Sequence, residues 1–275
     1  MDSKIALVTG ASRGVGRGIA IGLGESGWTV WVTARSSRAE GSSSHLAGTV
    51  EDCAEAVTAA GGRGVPVRCD HSDDGQVSAL VHRLSQEQGR LDLLVNNVWG
   101  GYERLNAGAW EEWTSPFWQQ PRELWDAMQA RGVRAHYVST ALLSPLLIAS
   151  APALVVTVGM RSNDAQANVA YAVAKAADNE LAVALDRELR EQRVRSLALH
   201  PGLVRTEGVM QFAEFLDLSA SEAPEDVGRV IAALAADPDR ARWAGGAHAV
   251  SDLATHYGVP LSAWTSAADH GAAGK

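Results

Sequence analysis

Tyr171-Ala172-Val173-Ala174-Lys175 sets a phenol and an amine four residues apart, so both stand on one face if the segment is helical. A cation beside a phenol lowers its pKa toward working pH. The phenol can then pass a proton to an oxygen as that oxygen gains charge. Tyr and Lys at this spacing also occur as an ordinary surface pair, so the meaning of the pair depends on where the fold puts it. Here the segment is rich in alanine and follows a short apolar run, Ala153 to Val158, that reads as a buried strand.

A second constellation lies at the other end of the chain. Thr9-Gly10-Ala11-Ser12-Arg13-Gly14-Val15-Gly16 separates the apolar run Ile5 to Thr9 from a stretch of helical period, Val15 to Glu25. Glycines there permit a tight turn and let backbone N–H groups approach a pyrophosphate, and the helix N-terminus adds partial positive charge. In a strand–turn–helix context the stretch predicts a dinucleotide site lined by Gly10, Ser12, Arg13, Gly14, Val15 and Gly16, and not merely a structural turn. The next apolar run, Thr29 to Thr33, leads into Ala34-Arg35. An acidic residue at that corner would accept from a ribose 2′-OH and favour NAD, whereas arginine suits a 2′-phosphate. Arg35 and Arg13, with no carboxylate in the same stretch, favour NADP(H) over a reading as two solvated surface cations. Asp70, at the end of the third run, is expected either to meet the adenine edge or to cap the helix that follows.

The elements that must position these groups alternate along the whole chain. Strands are predicted at 5–9, 29–33, 64–69, 91–95, 153–158 and 194–199, with a short last one near 247–250. Helices are predicted at about 15–25, 46–60, 73–88, 122–147, 166–191 and 225–236. Ser36 to Ser44 reads as a polar loop, and Trp99 to Pro121 breaks the rhythm with aromatic residues at no clean period. Such alternation with short links implies an α/β fold: a doubly wound, Rossmann-type parallel sheet of about seven strands with helices on both faces. No linker or shift of composition divides it. One domain is expected over 1–264, followed by an Ala/Gly-rich, frayed tail at 265–275. Lys4 to Gly10 already reads as a strand, so no removable leader is expected.

These segments together resemble the short-chain dehydrogenase/reductase (SDR) family, with matches over nearly the full length. Thr9 to Gly16 resemble its glycine motif, Asn96-Asn97 the start of its Asn-Asn-Ala-Gly motif, and Tyr171 with Lys175 its catalytic pair. Pro201-Gly202-Leu203-Val204-Arg205-Thr206 is similar to the loop that binds the nicotinamide amide. The resemblance implies that Asn97, Pro201, Gly202, Val204 and Thr206 join the cofactor site and that Lys175 also bonds the nicotinamide ribose. Phe117 to Pro121, Leu124-Trp125-Asp126 and Gly132 to Tyr137 further resemble the subgroup called dehydrogenase/reductase member one. Three departures stand out. The register of the family's catalytic serine gives Val158, followed by Gly159, and the nearest downstream hydroxyl is Ser162. The asparagine that completes the family's proton relay falls at Gly132, and Asn-Asn-Ala-Gly has become Asn96-Asn97-Val98-Trp99. Unreplaced, a lost donor to the substrate oxygen costs roughly 2.7–4 kcal/mol of transition-state stabilisation.

Bulk properties exclude other classes. A formal net charge of -8 leaves no basic surface for nucleic acid or an anionic membrane. The longest uncharged stretch, about 136–159, is interrupted by His136, Ser139, Thr140 and two prolines, so it is read as helix end, turn and buried strand and not as a membrane span. Two cysteines, Cys53 and Cys69, imply no disulfide framework, and a reducing cytoplasm is the simplest compartment. His71, His82, His136, His200, His248, His256 and His270 show no metal-ligand spacing. Trp99, Tyr102, Trp110, Trp113 and Trp118, with Phe212 and Phe215, suggest an aromatic wall for a flat or bulky apolar substrate, or simply packing of an insertion. In the family, the helices here spanning Trp125 to Leu147 and Tyr171 to Leu189 build dimers and tetramers, and Ala174, Ala177, Ala182 and Ala184 would permit close approach. The expectation is an NADP-dependent oxidoreductase and homo-oligomer that reduces C=O or C=N, using Tyr171, Lys175 and Ser162. The alternative is a cyclase, isomerase or dehydratase on the same fold that retains the nucleotide. A non-catalytic regulator fits less well with the retained Tyr171, Lys175 and amide-binding loop.

Overall fold

The computed structural model describes residues 3–106, 108–161 and 168–263. In chain order the elements are β1 (Ile5–Thr9), α1 (Gly14–Glu25), β2 (Thr29–Ala34), α2 (Val50–Ala59), β3 (Arg63–Arg68), α3 (Asp74–Gln88) and β4 (Leu93–Asn96). Then come α4 (Tyr102–Asn106), α5 (Trp110–Thr114), α6 (Arg122–Met128), a π-helical segment Gln129–Arg134, α7 (Ala135–Ala149), β5 (Ala153–Val158) and α8 (Val169–Leu189). The chain continues through β6 (Val194–His200), α9 (Glu207–Met210), α10 (Pro224–Ala236), β7 (Ala247–Ala249) and α11 (Val250–Tyr257).

The strands form one seven-stranded sheet of order β3-β2-β1-β4-β5-β6-β7, every pair parallel. Strands buried on both faces carry unbroken apolar runs, which is why Ile5 to Thr9 and Ala153 to Val158 could be read from composition alone. Alternate side chains feed opposite faces. Val8, Val32, Val156 and Leu199 join Ile19, Leu23 and Ile231 on one side. Leu7, Trp31, Leu94 and Val155 join Leu84 and Leu143 on the other. Chain direction across the sheet reverses between β1 and β4, and a crevice opens beyond the carboxyl ends of the strands at such a switch point.

Local chemistry moves some boundaries. Gly48 has φ +114°, and Thr49 and Asp52 form a reciprocal capping box, so α2 starts at Val50 and not at Leu46. Asp73 caps α3 by accepting from Gly75 and Gln76, so Asp70 is left free of that duty. The single helix expected over 122–147 is α6 and α7 joined through the π segment. A Cβ at Gly132, within that segment, would lie 2.7 Å from the Trp99 ring. The final helix α11 follows β7 directly, and sequence periodicity did not reveal it. Among the described residues no helix is long and apolar enough to cross a membrane, and no group of His, Cys, Asp and Glu could hold a metal ion. The tail expected at 265–275 lies outside the described residues.

Candidate nucleotide and active site

The glycine turn is shaped by close approach. Gly10 (φ +67°) leaves only 2.8 Å between an added Cβ and the Val98 backbone, and a Cβ on Gly16 would meet Asn97 at 2.4 Å. Asn97 fastens the turn from β4, donating from Nδ2 to the Thr9 and Gly10 carbonyls at 2.9 and 3.2 Å. Its amide nitrogen is therefore engaged within the protein. Ser12 is buried, and Val15 packs on the core beneath α1.

Beyond the turn, Arg13 donates to the Ser36 and Ser42 hydroxyls and to the carbonyls of Ala47 and Gly48 at 2.8–3.2 Å. Arg35 is ion-paired with Glu103 of α4 at 2.6 Å. Burial lowers the Arg13 pKa, Glu207 opposes that and Arg35 adds repulsion, so these three groups share one electrostatic neighbourhood. Asp70 accepts from the Ser72 backbone and hydroxyl. Burial raises its carboxyl, but those bonds and the charges of Arg35 and Arg131 hold it below the usual range. At the start of α1, Glu207 of α9 accepts from the Gly14 N–H at 2.8 Å. An open hollow of about 370 Å³ borders this contact, lined by Gly14, Arg17, Arg205, Glu207 and Met210. A carboxylate thus rests on the helix N-terminus where a phosphate oxygen would sit, and the donors fit an anion.

The loop after β6 is held by reciprocal backbone bonds, Glu222 N to Leu203 O at 2.8 Å and Arg205 N to Glu222 O at 2.9 Å. Pro201 and Gly202 open it and Val204 is buried. Thr206 caps α9, accepting from Val209 at 3.3 Å, and its methyl lies against Gly14.

Tyr171 and Lys175 lie in the first turns of α8, which starts at an Asn168 cap. Lys175 is buried. Its Nζ donates to the Val158 carbonyl at 2.9 Å and to Asp178 at 3.1 Å, and sits 3.9 Å from the centre of the Trp99 ring. Tyr171 is boxed by Trp99, Trp113 and Tyr102, with ring centroids at 5.2, 5.7 and 6.0 Å. This box rests on a small apolar cluster of Leu124, Met128, Ala170 and Ala174. Behind Lys175 runs a buried chain that sequence reasoning missed. Asp178 bonds His136 Nδ1 at 2.8 Å, and His136 Nε2 bonds the Val98 carbonyl at 2.8 Å. Burial raises the Asp178 carboxyl, yet His136 and Lys175 together hold it below its ordinary value. The signal available was a carboxylate three residues after Lys175 on the buried face of α8.

Both departures from the family's donor pattern are built into packing. The Val158 side chain turns to the core beneath α1. A Cβ at Gly159 would meet Asn179 Oδ1 at 2.3 Å and the His200 ring at 3.1 Å, and those two side chains bond each other at 2.8 Å. Trp99 fills the space beside Gly132. Ser162 lies outside the described residues.

With a switch-point crevice, a glycine turn and a Tyr/Lys pair on α8 in place, the comparisons with known proteins agree on the class. The family described as short chain dehydrogenase matches residues 4–217, and this chain belongs to that family of oxidoreductases, the short-chain dehydrogenases/reductases. Within it, the dehydrogenase/reductase SDR family member 1 of Mus musculus is 35% identical over 274 residues, covering 94% of this chain and 83% of that protein. The subgroup resemblance is borne out. A metagenomic short-chain oxidoreductase solved in complex with NADP superposes with a TM-score of 0.67 at 27% identity, over 86% of this chain and 92% of that one. The 3-oxoacyl-[acyl-carrier protein] reductase of Brucella melitensis, solved with NAD, shares the fold with a TM-score of 0.76 at 23% identity, over 91% and 96%.

Proposed function

We propose that this chain is an NADP(H)-dependent reductase of a C=O or C=N bond in a hydrophobic small molecule, with Tyr171 as proton donor and Lys175 as its helper. The observation that carries this reading is the joint setting of Tyr171 and Lys175, the lysine bonded to the last residue of β5 and the phenol enclosed by aromatic rings. When bound, the reduced nicotinamide supplies the hydride. The glycine turn and the N-terminus of α1 hold the pyrophosphate, and Asp70 meets the adenine edge. Arg13 and Arg35, flanked by Ser36 and Ser42, hold the 2′-phosphate, and the backbone of Pro201 to Thr206 meets the nicotinamide amide. Trp99, Tyr102 and Trp113 exclude water and press on a flat substrate. Lys175 stabilises the phenolate left when Tyr171 gives up its proton. The solvent-facing apolar residues of α6, α7 and α8 support a homodimer or homotetramer, acting in the cytoplasm.

The test is a panel of ketones, quinones and imines assayed with NADPH and NADH. NADPH consumption is expected, and Tyr171→Phe is expected to lower kcat roughly 10²–10⁴-fold while NADPH binding, followed by nucleotide fluorescence, persists. A fully active variant would refute the role. A second reading, non-redox chemistry on the same fold, is favoured by the closed donor positions at Gly159 and Gly132. Product formed with no loss of NADPH absorbance would select it.

A further inference from the structure

We propose that His136 is a buried imidazolium, protonated on both ring nitrogens, and that it keeps the charge of Lys175 available to Tyr171 by sharing the carboxylate of Asp178. The role in turnover deepens the reductase reading and rests on it, whereas the charge state of His136 stands without it. A neutral imidazole has one N–H and one bare nitrogen, so it needs one acceptor and one donor. His136 is offered two acceptors. Its Nε2 lies 2.8 Å from the Val98 carbonyl, which can only accept, and its Nδ1 lies 2.8 Å from Asp178 Oδ1. The other oxygen of Asp178 accepts from Lys175 Nζ at 3.1 Å. Burial raises the Asp178 carboxyl, but the charges of His136 and Lys175 outweigh burial and hold it below its ordinary value, so this group also only accepts. Both side chains are fully buried. With an acceptor on each side, both ring nitrogens donate, and a ring with two N–H groups is a cation.

A second buried histidine in the same interior is set up the opposite way. His71 lies between the hydroxyls of Thr33 and Ser139, and Ser139 is one turn along α7 from His136. A hydroxyl can donate as well as accept, so a neutral ring satisfies both contacts. Burial, then repulsion from His136, pushes the His71 pKa down to about 4. One ring is surrounded for neutrality and the other for charge.

Two cations therefore share one anion, and the group keeps a net positive charge. Without the second proton on His136, Asp178 would cancel Lys175, and a cancelled pair does little for a neighbouring phenolate. An excess of positive charge one helical turn from Tyr171 favours the ionised phenol. When Tyr171 passes its proton to the substrate oxygen, the negative charge left on the phenol meets that excess. His136 touches none of the reacting atoms and acts through Asp178 and Lys175, so it is a positioning residue. The Val98 carbonyl that it engages directly precedes Trp99, whose ring covers the Lys175 ammonium at 3.9 Å, so one imidazole braces the lysine from two sides.

The first measurement uses the unaltered protein, labelled with 15N in its histidine rings and free of nucleotide. At pH 8, where an ordinary histidine of pKa about 6.5 is neutral, NMR is expected to show one imidazole with a hydrogen on each nitrogen, both slow to exchange with solvent. Its loss in His136→Gln assigns it, and its displacement in Asp178→Asn does so should the first variant not fold. The absence of any doubly protonated ring, or its survival in His136→Gln, overturns the proposal. The second measurement is turnover. His136→Gln leaves Asp178 to cancel Lys175, and kcat is expected to fall about tenfold with the KM for NADPH nearly unchanged. The double variant His136→Gln/Asp178→Asn removes both charges and leaves the ammonium uncancelled, so it is expected to recover most of that loss. A structural role alone predicts a double variant slower than the single one, and that order overturns the role in turnover. If no carbonyl or imine consumes NADPH with the unaltered protein, the reductase reading fails, and the NMR measurement still decides the charge of His136.

Discussion

Gly132 and Trp99 are two halves of one change. A side chain at 132 would collide with the indole, and the indole in turn lies across the Lys175 ammonium, so a Cβ cannot be added at 132 without displacing the ring that covers Lys175. A desolvated cation over an indole gains about 2 kcal/mol, and here it also finds Asp178 and a backbone carbonyl. A second histidine shows how strictly this interior controls charge. His71 is buried between the Thr33 and Ser139 hydroxyls, each 2.8 Å from one ring nitrogen. Burial, then repulsion from His136, lowers its pKa to about 4. The unfolded chain binds a proton near pH 6.5, so the native state is favoured fully above that value. Stability is then lost as pH falls from about 6.5 toward 4, by about 3 kcal/mol at 1.36 kcal/mol per unit. Urea midpoints measured at pH 7 and pH 5 are expected to fall on acidification, and less steeply in His71→Gln. Equal slopes in the two proteins would show that another group drives the loss.

At the scale of elements, two short helices each put a carboxylate on a group that the proposed function assigns to nucleotide phosphate. Glu103 of α4 neutralises Arg35, and Glu207 of α9 caps the Gly14 N–H. If the nucleotide binds as proposed, it displaces both, so removing either negative charge is expected to tighten binding and not weaken it. For Glu207→Gln the gain expected is roughly two- to fivefold, matching the roughly 0.3–1 kcal/mol of an anion at an exposed helix N-terminus. Glu103→Gln is expected to favour NADPH over NADH, because the 2′-phosphate alone competes for Arg35. Fluorescence titrations with both nucleotides check this, and weaker binding in both variants would contradict it. Neither carboxylate was legible beforehand. Arg13, Arg35 and the glycine turn declare themselves because they follow a buried strand, whereas Glu103 and Glu207 lie in segments without period and meet their partners only once the crevice closes. Likewise Tyr171 and Lys175 were readable from one helix, but Asp178 gains its meaning from His136, 42 positions away. The parallel sheet of about seven strands followed from short apolar runs alternating with helical periods, whereas the order of the strands within it is given by the structure. The boundary of α2 was not legible either, because it depends on one positive φ and one cap.

Across the whole molecule, the division of α8 into two faces ties assembly to chemistry. Ala170, Ala174, Lys175, Asp178, Ala182 and Asp186 are buried in the chain's own interior, so Ala174 and Ala182 are not free to receive a second subunit as their small size suggested. The large apolar residues that α8 turns outward are Val169 and Val173, which alternate with the buried set, while Trp125 of α6 and Tyr137, Leu142 and Ile148 of α7 are likewise exposed. Large apolar side chains repeated on successive helices are a costly surface for a lone subunit, and covering them is the usual remedy. Val173 stands between Tyr171 and Lys175, so a second copy seated on it would clamp the helix that aims both groups. Val173→Glu and Tyr137→Glu are therefore expected to yield monomers by light scattering where the unaltered protein is a dimer or tetramer. In Val173→Glu turnover is expected to drop more than NADPH affinity, because the glycine turn lies on the far side of the sheet switch and does not depend on that face. A monomeric unaltered protein at micromolar concentration, or a monomeric variant with full turnover, would separate the two properties and leave α8 held by its own Asn168 cap and buried charges alone.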